Sequence, residues 1–449
     1  MGRRFQASMF NVVVDEQENG MYLYNSYKGL DSIKEVAPAA REKVKDYLSG
    51  RKVDESDDPI LNELIENRFM VPELYDERAD REQLFYEYTM EDTLDITVHT
   101  TDACNFRCKY CALDFKTNVI SKDVQDRIIK LIARNVNKYS RVHIDWFGGE
   151  PLIGIDAIEY ISEKVIDICR KAKKPYTGSI TTNGYLLTKE NVEKLIKSRV
   201  ANYTITVDGL KETHDNQRIY MDGGPTWDRI IGNLEGIRDN VKNRYISVVI
   251  RGNFTKEMLK DLPEFYNLLN DKFGKDPRFS FFVRPAGDWG GERVKLIADH
   301  LMPYSQMAEV YNYLAENQKD LKCIINLYNI HTCGAMCRSN KKNRYVITSY
   351  GKVQKCETCR PEHEIGEISK DGRLDTDKHL EAVWTVGFRR NKREQCDECP
   401  LSCSCLWGNC PKIGVLNPKD KNCGYITEYK ELIKLAAKTY DVETLGAEA

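Results

Sequence analysis

Three cysteines in eight residues, Cys104, Cys108 and Cys111, are the densest chemistry in the first half of the chain. They sit in the stretch Thr100-Thr101-Asp102-Ala103-Cys104-Asn105-Phe106-Arg107-Cys108-Lys109-Tyr110-Cys111. Three thiolates at this spacing can hold three irons of a four-iron cluster and leave the fourth iron without a protein ligand. A structural zinc site closes with four protein ligands and favours C-x2-C pairs, which the x3 step between Cys104 and Cys108 fits poorly. Buried packing cysteines are the remaining alternative, since a free Cys is often a core residue.

The elements around the triad alternate. Leu94, Ile96 and Val98 mark a strand before the cysteine loop, and Ser121 can cap a helix carrying Val124, Ile128 and Leu131. Val142, Ile144 and Trp146 form the next strand, followed by a helix with Ile158, Ile161, Val165 and Ile168. Further strands are expected at 178–182, 203–207, 245–251 and 279–284, with helices at 188–198, 226–239 and 256–272. Six such repeats argue for a parallel sheet with right-handed crossovers. Ligands of such a sheet lie at the carboxyl ends of the strands.

Polar and glycine-rich motifs fall at those ends. After the second strand comes Gly148-Gly149-Glu150-Pro151, where two glycines permit close backbone approach and Glu150 can fix the backbone beside them. A tight strand-to-helix turn would use the same residues. Thr181-Thr182-Asn183-Gly184 follows the third strand; Thr206-Val207-Asp208-Gly209 and His214-Asp215-Asn216-Gln217-Arg218 follow the fourth. Asp208 can accept hydrogen bonds from a ribose or a turn, and Arg218 can pair with a carboxylate or brace a loop. Arg251 and Asn253, at the end of the fifth strand, are further candidates for ligand contact. His214 reads as structural, because a general base needs a proton within reach.

Fifteen cysteines without a secretory signal point to metal rather than disulfides. Ten lie between 333 and 423, and only Cys169 and Cys323 stand apart from both groups, as packing residues. Cys337 is followed by thirteen residues, Gly351, four residues and Cys356; then come Cys396-x2-Cys399-x5-Cys405, Cys410 and Cys423. Zinc ribbons are the competing account of the pairs Cys356/Cys359 and Cys396/Cys399.

The triad with Tyr110, the Gly-Gly-Glu-Pro turn and the later motifs together resemble the radical S-adenosylmethionine (SAM) family over about residues 92 to 430. The resemblance implies a partial (β/α)6 barrel, open iron chelation by SAM, and cleavage of SAM to a 5'-deoxyadenosyl radical. It implies SAM contacts from Tyr110, Gly148, Gly149, Glu150, Pro151, Thr182, Asn183, Asp208, Arg218 and Arg251. The later cysteines resemble the SPASM extension of radical SAM maturases, with two auxiliary four-iron clusters. By position, Cys333, Cys337, Cys356 and Cys410 would hold the first, and Cys396, Cys399, Cys405 and Cys423 the second. The four residues between Cys405 and Cys410, where the family has three, and the extra Cys359 and Cys403 leave individual ligand assignments open. Glu357, beside Cys356, stands where related sulfatase-maturing enzymes carry the acid that deprotonates substrate.

Residues 1–90 form a separate unit by pattern: strands at 10–14 and 21–25, then apolar helical spacing at Val44 and Leu48 and at Leu61, Leu64 and Ile65. This order resembles the winged-helix peptide-recognition element of radical SAM enzymes that act on ribosomally made peptides; an ordinary α+β cap is the alternative. A leader peptide would add as a strand to the hairpin edge. The expected division is recognition unit 1–90, barrel 91–290, bridge 291–332, SPASM domain 333–430, and C-terminal helix and tail 431–449.

The balanced charge, 67 basic against 69 acidic residues, gives no case for nucleic acid, and no apolar run approaches the roughly 20 residues of a membrane span. The start lacks an apolar signal core, so a cytoplasmic protein is expected. The expected activity is crosslink formation in a precursor peptide, a thioether first and a carbon–carbon or carbon–oxygen link second. It would use three four-iron clusters, SAM and an external donor such as flavodoxin or ferredoxin. Formylglycine formation on a sulfatase is the rival within enzymes, and a zinc or iron–sulfur regulatory module the rival outside them.

Overall fold

The computed structural model describes residues 3–16, 20–113, 115–302, 306–325, 327–387, 394–405, 410–412 and 429–447. They divide into two compact units, one of residues 91–326 and 342–382, the other of residues up to 90, 327–341 and from 383 on.

The larger unit is built on strands whose two faces differ in chemistry. In β1 (Thr93–Thr101), Leu94, Ile96 and Val98 are buried on the helix-covered face, while Asp95, Thr97 and His99 project from the other. The same alternation runs through β2 (Arg141–Gly148), β3 (Tyr176–Thr182), β4 (Val200–Thr206), β5 (Ser247–Phe254) and β6 (Phe279–Pro285). Here Ile144, Ile180, Ile205, Ile250 and Phe281 are buried, whereas His143, Ser179, Thr204, Arg251 and Ser280 occupy the opposite, half-open face. These six strands pair in parallel, in sequence order, with registers such as Ile96↔Ile144 and Ile205↔Ile250.

Two further parallel strands lie beyond the six-repeat pattern: β7 (Lys322–Ile324) beside β6, and β8 (Arg344–Ile347) beside β1. The sheet then continues antiparallel through β9 (Lys352–Gln354), β10 (Gly366–Ile368) and β11 (Leu374–Thr376), giving eleven strands in an open order. Cys323 is buried on β7, and Cys169 is buried in the helix Ile155–Lys171.

Helices return the chain between strands and begin where the sequence supplies caps. Ser121 accepts from the Val124 amide at the start of Lys122–Asn135, and Thr188 accepts from the Asn191 amide at the start of Lys189–Lys197. The apolar stripe of Lys122–Asn135, Val124, Ile128, Leu131 and Ile132, is buried.

In the smaller unit the strands Asn11–Asp15, Met21–Asn25 and Gly29–Val36 form an antiparallel meander, to which Thr444–Leu445 adds in parallel beside Gly29–Val36. Asn11–Asp15 is the outer strand of this sheet among the described residues. A second sheet joins Val53–Asp54, Arg4–Ala7 and Met70–Pro72. The helix Pro59–Glu66 starts on the Asp58 cap, with Pro at its first position, and buries Leu61 and Leu64 against Leu23, Val36, Val44 and Phe69. It ends two residues before Arg68, whose φ of 64° no helix can continue. Among the described residues no helix is long and apolar enough to cross a membrane.

Candidate functional site

The cysteine loop leaves β1 and is tied on both sides by backbone hydrogen bonds. Gly149 and Glu150 amides donate to the carbonyls of Thr101 and Ala103, both at 2.9 Å, and the Arg107 and Lys109 amides donate to Ile219 at 2.7 Å and Gln217 at 3.0 Å. Phe106 is fully buried between Tyr185 and Tyr220, with centroids 5.8 and 6.2 Å away. The frame is made chiefly by backbone and aromatic packing; of the thiols, Cys104 Sγ accepts from the Phe106 amide at 3.3 Å.

Glycine is required where this frame is tightest. Gly148 has φ +121°, and a Cβ on it would lie 2.2 Å from the Thr101 carbonyl oxygen; a Cβ on Gly149 would lie 2.1 Å from that of Ala103. The loop and the turn after β2 can approach only without side chains.

Glu150 is fully buried and joins two motifs. Its carboxylate accepts from the Thr182 hydroxyl at 2.7 Å, the Asn183 amide at 2.8 Å and the Leu152 amide at 3.1 Å. Burial raises its pKa, against these three hydrogen bonds. Asn183 in turn donates to Asn105 at 2.7 Å, inside the cysteine loop. Pro151 opens the short 3-10 turn after Glu150, and its carbonyl accepts from Thr100.

A second buried network gathers Tyr110, Asp208, Arg218 and Asn253. The Tyr110 hydroxyl donates to Asp208 and accepts from Arg218 at 2.6 Å and Asn253 at 3.2 Å. Asp208 also accepts from the Asn253 amide at 2.8 Å, and its carboxylate lies 3.8 Å from the Arg218 guanidinium. Burial opposes the charge of Arg218, but Tyr110, Cys108 and Asp208 outweigh it and hold the guanidinium ionised. Arg251, bonded to Thr206 at 2.9 Å, is pushed down to about 10 by burial and by Arg284. His214 accepts from the Asp208 amide through Nδ1 at 3.1 Å and faces Thr226 through Nε2 at 3.2 Å, which keeps it neutral; burial holds its pKa well below the usual value.

This donor set fits a three-iron ligand loop with an anionic, amine-bearing ligand beside it. Three soft thiols share one short loop, and burial raises Cys104 to about 12 and Cys108 to about 11, so that they are costly to ionise unless a cation takes them. The Nε atoms of Arg218 and Arg251 are buried without a hydrogen-bond partner, donors that a carboxylate could take. Glu150 offers buried carboxylate oxygens to an amine.

Glu357 lies elsewhere on the same unit, beside the middle of β1. Its carboxylate pairs with Arg344 and lies 3.4 Å from the Thr97 hydroxyl; Arg344 is fully buried and also bonds Asp95 at 3.0 Å. Cys356 and Cys359 touch: the hydrogen bond from Cys359 lowers Cys356 to about 6, against burial. In the smaller unit Cys333 and Cys396 pack beside Phe85 and Met336, and Cys333, at φ 57°, donates its amide to the Cys403 carbonyl. Cys403 is fully buried, with a side-chain hydrogen bond to Ser26. Cys399 and Cys405 close local turns on Cys396 and Leu401. Cys337 and Cys410 belong to this unit; Cys423 lies outside the described residues.

Sequence reasoning missed Asn105, Arg344 and the Tyr185/Tyr220 pair. None belongs to a fixed-spacing motif; the one available signal was an Arg opening a strand, where a buried charge demands partners.

Residues 98–269 match the radical SAM superfamily. The chain is 25% identical over 182 residues to the Fe-coproporphyrin III synthase of Methanosarcina barkeri, covering 40% of this chain and 42% of that protein, so it spans less than half of that relative. Among solved structures, anSMEcpe with bound AdoMet matches with a TM-score of 0.57 at 16% identity, over 76% of this chain and 97% of that one. SuiB of Streptococcus suis, solved with S-adenosylmethionine, matches with a TM-score of 0.54 at 16% identity, over 93% and 98%. SuiB has also been solved with its precursor peptide SuiA. At these identities the likeness is one of fold.

Proposed function

We propose, from the match of residues 98–269 to the radical SAM superfamily, that the chain is a radical SAM maturase that crosslinks a ribosomally made precursor peptide, with a thioether as the first choice of bond and a carbon–carbon or carbon–oxygen link as the second. The observation that carries the peptide assignment is that Asn11–Asp15 is the outermost strand of a small N-terminal sheet among the described residues, an edge to which a leader can add as a strand through backbone hydrogen bonds. SuiB, which matches most of this chain in fold, binds a precursor peptide.

When bound, a cluster on the triad together with SAM would supply radical chemistry for removing a hydrogen atom from the peptide, and auxiliary clusters would supply an acceptor for the electron released on bond closure. The protein's own residues bind and orient. Cys104, Cys108 and Cys111 would hold three irons, Glu150 would bind the amine of SAM, and Arg218 and Arg251 would bind its carboxylate. Tyr110, Asp208 and Asn253 keep Arg218 in place. The later cysteines would hold the auxiliary clusters; of the described ones, Cys333, Cys337, Cys396, Cys399, Cys405 and Cys410 belong to the smaller unit and Cys356 to the larger. Glu357 accepts the proton that the peptide nucleophile gives up, with Arg344 stabilising its ionised form. Electrons reach the triad from a small donor protein such as flavodoxin or ferredoxin.

Anaerobic reconstitution tests the proposal. Roughly ten to twelve irons per chain and release of 5'-deoxyadenosine on reduction are expected. A short peptide encoded beside the gene should lose two hydrogens without gaining an aldehyde. Aldehyde formation on a sulfatase peptide would replace the assignment with formylglycine synthesis, and stoichiometric zinc without SAM cleavage would overturn it.

A further inference from the structure

The turn that follows β6 belongs to no motif, yet it grips the cysteine loop. Arg293 donates through Nε to the Cys108 carbonyl at 2.9 Å and through Nη2 to the Arg107 carbonyl at 2.7 Å. Both bonds go to backbone oxygens, so the three sulfurs stay available. Gly291 is buried against the other end of the loop: a Cβ there would lie 2.3 Å from the Cys111 carbonyl oxygen and 2.7 Å from the Ala112 Cα. The turn is itself pinned, by Asp288 accepting from the Gly290 amide at 2.7 Å and by Arg360 donating to the Gly290 carbonyl at 2.5 Å. Phe115 lies between two guanidiniums, with Arg107 4.4 Å and Arg293 5.6 Å from its ring centroid.

We propose that residues 290–293 form a brace that shapes the cysteine loop before metal arrives, and that the Arg293 charge raises the reduction potential of the cluster the loop holds. This rests on the radical SAM assignment of the triad. Adding an electron to a cluster ligated by three thiolates increases a local negative charge, and a fixed guanidinium on the ligand loop offsets it. Arg rather than Lys is required for the geometric half of the task, because its fork reaches two carbonyls at once. Arg293 is thus a positioning residue, acting through the loop backbone it holds and through its fixed charge beside it.

The test is an EPR-monitored redox titration of the reconstituted enzyme, following the signal that SAM addition changes, with limited proteolysis of the metal-free protein between Cys104 and Cys111. Arg293→Gln should lower the ratio of reduced to oxidised cluster at fixed potential about tenfold, a shift of about 59 mV to more negative values for one electron, and should speed loop cleavage. Arg293→Lys keeps the charge and loses the fork: a potential near wild type with faster cleavage is expected. Gly291→Ala should fold, since its clash is confined to the loop, and should lose about four irons per chain. Wild-type potential and protection in Arg293→Gln, or full iron and unchanged potential in Gly291→Ala, would overturn the brace. If Arg293→Gln fails to fold, wild-type protection in Arg293→Lys overturns it instead. Absence of any SAM-responsive signal in the wild type would sink the assignment of the triad and is distinguishable from all of these.

Discussion

Two cysteine loops of the barrel unit solve the same problem in opposite ways. The 104–111 loop is held by neighbouring backbone and by Phe106, and its thiols are left protonated by burial. The 356–359 loop is organised through sulfur: Cys359 bonds Cys356 and holds it at about 6, a thiolate at neutral pH. The first loop is therefore shaped mainly by contacts away from its sulfurs, with one bond to Cys104 Sγ, whereas the second relies more on contact between its own thiols. A site that must leave one iron open to SAM gains from a rigid cradle, because the ligand geometry is then set by the fold and not by the metal.

The largest expected break of this contrast is replacement of Cys104, Cys108 and Cys111 by Ala. SAM cleavage should vanish while about eight irons per chain remain by iron assay; loss of all iron would show that the two loops are not independent sites. Next, Arg344→Met strips the buried partner from Glu357 and Asp95, and urea unfolding should register a loss of about 3–5 kcal/mol, mostly recovered when Glu357→Leu and Asp95→Leu are added. A loss below about 1 kcal/mol would mean that the 356–359 loop is not anchored through this pair. A smaller effect is kinetic: alkylation of the metal-free protein at neutral pH should mark Cys356 at least about tenfold faster than Cys104 or Cys108, read by peptide mass mapping. Equal rates would erase the distinction drawn between the loops.

The smallest effect concerns pH. His214 is neutral in the fold because Nδ1 accepts from the Asp208 amide, and its pKa is depressed by burial. Its contribution is present above the unfolded value near 6.5 and is lost as pH falls toward the depressed folded value, at about 1.4 kcal/mol per pH unit. Denaturant midpoints of wild type and His214→Asn between pH 7 and 5 check this, with a flatter profile in the variant.

Most of what the sequence revealed was local. The triad, the Gly148–Gly149 turn and the polar strand ends could be read because each packs its chemistry into a few consecutive residues. The six strand–helix repeats were visible because one strand face is apolar. What stayed hidden depends on contacts between distant residues. Tyr110 meets Asp208 across 98 positions, and Arg344 meets Asp95 across 249. The two-residue strand Thr444–Leu445 joins Gly29–Val36 from the far end of the chain, and so short a strand leaves no periodicity to detect. Glu357 shows the same limit: its neighbour Cys356 was informative, but its engagement by Arg344 was not foreseeable.

The two-faced strands carry a consequence for how such an enzyme diversifies. Ile144, Ile180, Ile205 and Ile250 provide cohesion on one side, while Ser179, Thr204, Arg251 and Ser280 meet whatever enters from the other. Because neighbouring positions along a strand answer to different selective demands, a lineage can change its vocabulary of substrates one residue at a time without disturbing the grammar that folds the sheet.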